Sequence, residues 1–567
     1  MFGFSTATLP PPLLSPDGQS LSWRGYVLLV LLSLAFFLPG LTSIPPLDRD
    51  EPHFAQASKQ MIESGNYVDI RFQQESRYQK PIGIYWLQAA SAKLLLSPEH
   101  LDAIWAYRVP SLIGATVAVV MTAALGALFF GPMAGFLAAL LLAGCVILNV
   151  EARLAKTDAA LLGCIMVAQY ALGRAYVARD QEEKPSWGVA FAFWTAQGIA
   201  VLIKGPILPL ITLATLLTLR IGSGTVGWFA RLRPVTGLIY ALLLTAPWFI
   251  AISLATKGDF AAQSAGHDLL AKIWQGQHRG VMPPGLHLLA FPLVFFPGSL
   301  LALLALPNIW RARREPFVLF CLGWIVPTWI VFELSLTKLP HYVMPTYPAI
   351  AMLAAKVMLD GFPALAERRW RWWPPVVVGL WLVLGTGLAT GLVLLPYLTD
   401  QVVNVSQMIA GILLLAALMT GLMLLPQRNG KGVLMLSAGG LAFIMISFGF
   451  TIPSLQDVWL TRRVVQVAES VKPCQRLKLI TASYNEPSLV FAVGTDTLTI
   501  NKIETVADIF RRDRCRLALL DREHKQSFLD EFHTTEPQPV PLATLTGPNI
   551  GSGKKVEVTL YRLPAAP

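Results

Sequence analysis

The sequence predicts a polytopic α-helical membrane protein that carries a small α/β domain at its C-terminal end. Three observations lead there. Of 567 residues, 54% are hydrophobic and 14% charged, and the mean hydropathy of +0.55 exceeds that of a water-soluble domain of this size. The apolar residues fall into about thirteen runs of about 16 to 23 residues, each long enough to cross a bilayer core of about 30 Å. Beyond residue 452 the composition turns polar and strand-like. A purely soluble enzyme is excluded. The formal charge of +11 does not point to nucleic acid, because the Lys and Arg sit in short loops where they set topology.

In chain order the spans are expected at 24–43, 109–130, 132–149, 157–178, 188–203, 205–221, 235–255, 284–306, 316–335, 342–361, 374–396, 405–425 and 432–452. Together they make a membrane unit of residues 1–452, with the Pro-rich stretch 9–16 expected to be a disordered tail before the first span. Alternate short loops hold Arg220, Arg231 and Arg233, then Arg311, Arg313 and Arg314, then Arg368, Arg369 and Arg371, with Arg428 and Lys431 continuing the pattern. The positive-inside rule puts these loops and the N-terminus in the cytoplasm. The segments 44–108, 256–283 and 453–567 then face the periplasm. The last is expected to be an α/β domain, with strands at 477–482, 489–493 and 516–520 and a helix near 506–514. Cys474 and Cys515 lie within it and can pair in an oxidising compartment.

The candidate chemistry collects in the segments assigned to the outer face. Leu47-Asp48-Arg49-Asp50-Glu51-Pro52 opens the first external segment directly after a span. Neighbouring carboxylates suit general-base work or a divalent cation, and equally a helix N-terminal cap. Further on, Arg77-Tyr78-Gln79-Lys80-Pro81 puts two cations ahead of an aromatic, apolar stretch. They suit a lipid phosphate or bulk anionic headgroups. Glu151, Arg153, Lys156 and Asp158 precede the fourth span, Lys204 interrupts two short ones at Lys-Gly-Pro, and Lys338, His341 and Tyr342 precede the tenth. Charge at a bilayer edge is costly unless paired or lining a cavity. The segment 256–283 adds His267 and His278, eleven residues apart, as the candidate metal ligands.

These residues together resemble the ArnT-like branch of the GT-C glycosyltransferases, related to protein O-mannosyltransferases, which take a sugar from a polyprenyl-phosphate carrier. The resemblance rests on the Asp-Glu pair, Arg-Tyr-x-Lys-Pro, Thr157-Asp158-Ala159, Lys204-Gly205-Pro206, and Pro340-His341-Tyr342 through Pro348, in that order. It implies a GT-C fold and a multi-pass protein of the bacterial inner membrane. The implied activity is transfer of a hexosyl or pentosyl unit from undecaprenyl or another polyprenyl phosphate to a glycolipid acceptor, lipid A or lipopolysaccharide core. The rivals are a lipid-linked glycan flippase and a protein O-mannosyltransferase. It implies Asp50 as the leading catalytic residue, supported by Glu51, with Asp158 the third carboxylate of the set. Arg77, Tyr78, Lys80, Arg153, Lys204, Lys338 and Tyr342 would meet the carrier phosphate or line the cavity. No cofactor is required, and a divalent cation is the one left open. The chain departs from the aminoarabinose transferases at two positions, with His53 where they have Arg and Gln79 where they have a Glu associated with that cation.

Overall fold

A computed structural model describes residues 9–47, 50–180, 186–261, 283–402, 405–427, 430–532 and 537–564. Each expected apolar run contains a helix. Among the described residues, eight helices are long and apolar enough to cross a membrane, and four shorter apolar ones join them, at Trp23–Phe37, Pro132–Ala143, Ile207–Ser223 and Ser299–Arg311. The chain is a polytopic membrane protein. Side chains such as Leu242, Leu243, Leu289, Val383 and Leu398 are exposed on the outside of the bundle. An apolar exterior of that extent fits lipid and not water.

Three helices position most of the polar residues: α7 (Asp158–Val177), α8 (Trp187–Lys204) and α9 (Ile207–Ser223). A rise of 1.5 Å per residue makes α7 about 30 Å long, the thickness of a bilayer core. One end of α7 carries Asp158. The α8–α9 hairpin turns at that same end through Gly205, whose φ of 72° and ψ of −149° suit a residue without Cβ. The helix Pro316–Leu334 packs on α9 and returns to this end, followed by Lys338 and His341.

Several expectations are corrected. The run 132–149 is two helices, Pro132–Ala143 and Val146–Glu151. Here Asn149 Nδ2 donates to the carbonyls of Ala143 and Cys145 at the break, at 2.7 and 2.9 Å. The run 284–306 likewise breaks between Leu286–Val294 and Ser299–Arg311. The stretch 9–16 is not a disordered tail: it forms a short 3₁₀ turn, Leu9 and Leu21 are buried, and Ser22 Oγ donates to the Pro12 carbonyl at 2.7 Å.

The segment 44–108 is folded. It contains α2 (Glu51–Ser64), a two-residue hairpin at Arg71–Phe72 and Glu75–Ser76, α3 (Gly83–Leu95) and the first turn of α4 (Ile104–Phe130). An added Cβ on Gly83 would sit 2.7 Å from the Leu202 backbone. That close approach lays α3 directly on the last turn of α8.

The C-terminal part holds a five-stranded mixed sheet. Lys478–Ala482 pairs in parallel with Leu498–Thr499 and Arg516–Asp521, and Lys554–Arg562 and Val540–Asn549 complete it antiparallel. Alternation sends Leu479, Leu517 and Leu519 into one core and Ile480, Ala518 and Leu520 into the other. A Cys474–Cys515 disulfide joins the segments that lead into the two adjacent inner strands Lys478–Ala482 and Arg516–Asp521. The stretch 489–493, expected as a strand, belongs instead to a helix, Pro487–Val493, with Pro at a first-turn position that needs no N–H.

Candidate active site

Asp50 stands at the N-terminus of α2, exposed, and its carboxylate accepts no capping hydrogen bond from the first turn. Its charge acts on both His53 and Lys156. The capping alternative for this residue is therefore not what the helix uses. Lys156 leads into α7 and bonds Glu151 Oε1 at 3.3 Å. Burial opposes the Lys156 charge, but Glu151, Asp158 and Asp50 outweigh it and raise the ammonium above its ordinary value.

Beside it, Lys204 Nζ meets Asp158 Oδ1 at 2.5 Å, with the two side chains 13% and 8% exposed. The Lys204 ammonium also lies 5.6 Å from the centre of the Tyr342 ring. His341 stands between the two carboxylates, with Nδ1 3.2 Å from Glu151 Oε1 and Nε2 3.6 Å from Asp158 Oδ1. Burial holds His341 below its ordinary value, countered by Asp158 and Glu151 and reinforced by Lys156 and Lys204.

Asp50, Asp158, Lys204 and Tyr342 thus converge with Glu151, Lys156 and His341 where four chain segments meet. The Arg77–Lys80 segment runs into α3, against the helix end that carries Lys204. Within it, Lys80 Nζ donates to the Gln79 carbonyl at 2.9 Å and Arg77 stacks over Phe54 at 5.3 Å. Tyr78 is drawn aside, its hydroxyl donating to Asp69 Oδ1 at 2.8 Å. Lys338 Nζ donates to the Ser335 carbonyl at 2.8 Å.

Two of the expected residues face elsewhere. Arg153 does not reach this cluster: its guanidinium donates to the carbonyls of Phe36, Pro39 and Asn149 and lies over the Phe448 ring. It satisfies carbonyls at the end of the first span, which have no intrahelical partner, and so is not available to a carrier phosphate. Glu51 is 1% exposed and wholly engaged. Its oxygens accept from Arg108 Nε at 2.7 Å, Arg108 Nη2 at 3.0 Å, Leu47 N at 2.8 Å and Ala155 N at 2.9 Å. Arg108, overlooked in the sequence because it falls one residue ahead of an apolar run, also donates to the carbonyls of Leu41, Ile44 and Pro45. The available signal was an Arg at the mouth of a span, which needs a buried partner.

His53 lies under the cluster, with burial and Arg77 pushing it down to about 3 against the pull of Asp50. Position 53 therefore carries no charge at neutral pH. His267 and His278 fall outside the described residues. Among those described, no three His, Cys, Asp or Glu side chains group to hold a metal ion, and Gln79 offers an exposed neutral amide where a carboxylate would bind more strongly. Among the described residues, the side chains present do not make a site for a divalent cation.

A cavity of about 680 Å³ lies between the segment 44–108, the end of the last span and the C-terminal sheet. Trp105, Phe450, Trp459, Arg462, Tyr484 and Ser488 are among its walls. It includes Ile44 and Pro45, whose carbonyls are held by Arg108, so its wall is one hydrogen-bonded layer from Glu51.

The fold is of GT-C architecture, and the chain is similar in sequence and fold to glycosyltransferases of the ArnT-like branch. A family model described as dolichyl-phosphate-mannose-protein mannosyltransferase matches residues 79–250. An undecaprenyl phosphate-alpha-4-amino-4-deoxy-L-arabinose arabinosyl transferase 1 of Pseudomonas fluorescens is 25% identical over 351 residues, 60% of this chain and 61% of that one. Its counterpart in Pseudomonas aeruginosa is 26% identical over 346 residues, 58% and 59% of the two chains. The chain thus spans about three fifths of the length of these curated relatives. Among solved structures, ArnT from Cupriavidus metallidurans bound to undecaprenyl phosphate superposes with a TM-score of 0.73 at 18% identity, covering 95% of this chain and 98% of that one. The fold is therefore shared from the first span through the C-terminal sheet.

Proposed function

We propose that the protein is an inner-membrane glycosyltransferase that moves a hexosyl or pentosyl unit from polyprenyl phosphate to an envelope glycolipid, lipid A or lipopolysaccharide core. The observation that carries this is the exposed Asp50 carboxylate beside two buried ion pairs, Lys156 with Glu151 and Lys204 with Asp158. The nucleophilic oxygen of the acceptor attacks the anomeric carbon, and the bond from that carbon to the carrier phosphate oxygen breaks. The electron pair leaves with polyprenyl phosphate, and the anomeric configuration inverts. Where the nucleophile is a hydroxyl, its proton passes to Asp50. Arg77, Lys80 and Lys204 stabilise the departing phosphate, since fixed cations in a poorly hydrated cavity act most strongly where charge develops. Glu51 acts at one remove by fixing the first turn of α2. The uncharged His53 favours a hydroxyl acceptor, because a phosphate acceptor would gain from a cation there.

The membrane orientation belongs to the same proposal. The disulfide in the C-terminal sheet suits an oxidising periplasm, and the arginine-rich loops lie at the opposite ends of α7 and α9. The 680 Å³ cavity, apolar with an Arg at its rim, is the acceptor's docking place.

The test is mass spectrometry of glycolipids and polyprenyl-linked sugars from a deletion strain complemented with wild type or with Asp50→Asn. Loss of one sugar from the glycolipid, with its polyprenyl form accumulating in both the deletion and the Asp50→Asn strain, is expected. Product restored by Asp50→Asn would favour transport over transfer. Unchanged lipid pools would redirect the search to exported proteins.

A further inference from the structure

The helix Leu286–Val294 carries in its first turn His287, which is 1% exposed and joins three separate stretches of chain. Its Nδ1 lies 3.2 Å from Glu333 Oε2, in the last turn of the helix Pro316–Leu334, and its Nε2 lies 3.1 Å from the Leu339 carbonyl. The other Glu333 oxygen accepts from the Gly285 N–H at 2.7 Å. The Leu339 carbonyl also accepts from the Tyr342 N–H at 3.0 Å, so this one oxygen ties the buried ring to the turn 339–342. A carboxylate and a carbonyl are both acceptors. Bonding the imidazole to both takes two protons, either both on the ring or one of them on Glu333. In each case the pair is uncharged overall, which burial favours.

The turn 339–342 delivers two residues to the candidate active site. His341 lies 3.2 Å from Glu151 and 3.6 Å from Asp158, and the Tyr342 ring centre is 5.6 Å from the Lys204 ammonium. The Phe332 ring, one residue before Glu333, lies 5.7 Å from the Tyr342 ring. Packing alone does not require the His287 arrangement. A neutral core histidine brings one proton and needs one acceptor, whereas both nitrogens here face acceptors, one at each end of the stretch 334–338. His287 is thus a cross-brace over that stretch. We infer that His287 is a positioning residue for sugar transfer: with Glu333 it holds the turn that sets His341 and Tyr342 against Asp158 and Lys204. The role in transfer rests on the glycosyltransferase reading above; the brace itself does not.

The test follows hydrogen exchange and sugar transfer in the purified full-length protein, with polyprenyl-linked sugars and glycolipids extracted from the deletion strain as substrates. His287→Leu and Glu333→Leu should each speed exchange over 335–344. Each should lower kcat roughly tenfold while the carrier KM moves by less than about threefold, because Lys204 meets charge that develops as the bond breaks. Glu333→Gln is the conservative variant: its amide oxygen can accept from Gly285 and its N–H can donate to Nδ1 of a neutral ring. It should stay within about twofold of wild type in both measurements. His287→Asn puts an amide where Nδ1 stands, keeping Glu333 and freeing Leu339, so it should lose kcat like His287→Leu even if the leucine variants fold poorly. In a His341→Ala/Tyr342→Ala background, His287→Leu should cost less than about twofold, since the residues it positions are gone, whereas a general loss of folded protein would multiply. Glu333→Gln as impaired as Glu333→Leu, or multiplicative losses in that background, would overturn the positioning role. Wild-type kcat in His287→Asn would overturn it as well. No transfer by wild type would instead overturn the transferase reading, and the exchange measurement, which needs no substrate, would still decide whether His287 holds the turn.

Discussion

Glu51 and Arg108 form a two-pronged ion pair inside the protein, with side chains 1% and 0% exposed. The pair ties the start of α2 to the start of α4, and through Leu41, Ile44, Pro45, Leu47 and Ala155 it gathers the chain on either side of Asp50. Two adjacent acids in the sequence thus divide into an exposed group and a structural one.

Removing one member of a buried ion pair leaves an uncompensated charge and costs about 3–5 kcal/mol. Arg108→Leu and Glu51→Gln should each lower the unfolding midpoint in detergent by several degrees. The double variant Glu51→Leu/Arg108→Leu should not recover it, because three carbonyls and two N–H groups would still lack partners. Asp50→Asn should leave the midpoint unchanged while lowering kcat by about 10²–10⁴-fold, the range for a lost proton acceptor. A stable, inactive Glu51→Gln would reverse the division of roles.

Lys204 and Asp158 should behave as one unit. Each alone leaves the other as a largely buried charge without its partner, beside Tyr342. We expect Lys204→Met and Asp158→Asn each to cost at least tenfold in kcat/KM, and the double variant to cost little more than the worse single. Such non-additivity is normal for groups that act together. Strictly multiplicative losses would show that the two act independently.

His53 gives the protein an acid-sensitive side. Its folded value of about 3 lies below the ordinary 6.5, so between those values the unfolded chain binds a proton that the folded chain excludes. This contribution to stability is complete above about pH 6.5 and is lost as pH falls toward 3. His341 is lowered also and acts with the same sign. His53→Gln should flatten the acid limb of stability against pH by up to about 1.4 kcal/mol per unit. Equal slopes for variant and wild type between pH 6.5 and 4 would show that His53 is solvated and titrates normally.

The membrane architecture was legible because a bilayer forces every span to be long, apolar and helical. Breaks near Gly144 and Pro297 were not, since the runs stay apolar through them and only the packing of neighbours tells one helix from two. Of the candidate site, the residue types and their place at the ends of the spans were legible. What could not be read was direction. Arg153 and Lys204 look equivalent as cations at span ends, yet one faces the carbonyls ending the first span and the other faces Asp158. The helical run around Phe491 resembled a strand for a related reason: five apolar residues have no decisive period, and the docking that selects helix lies more than 330 residues away in the chain.

That docking supports the last prediction. Phe491 is fully buried among Ala55, Ala92, Ile104, Tyr107 and Ala155, edge-on to the Tyr107 ring at 5.5 Å. Around it one polar face of α2 grips the C-terminal part. Lys59 Nζ donates to the Phe491 carbonyl at 3.1 Å, Gln56 Nε2 to Thr495 Oγ1 at 2.7 Å, and Thr495 Oγ1 in turn to Glu63 Oε2 at 2.6 Å. The sheet domain therefore holds the helix whose first turn begins at Asp50. Phe491→Ala removes a ring worth about 3–5 kcal/mol when a cavity is left behind. Hydrogen exchange should speed up in 51–64 and 487–499 and stay unchanged in the strands 478–482 and 516–521, which form the domain's own core. Turnover should fall with it, although Phe491 touches none of the polar residues around Asp158. Faster exchange at α2 with full activity would mean that Asp50 is positioned by the Glu51–Arg108 pair alone. Unchanged exchange at α2 would mean that the C-terminal domain rests on this helix without holding it.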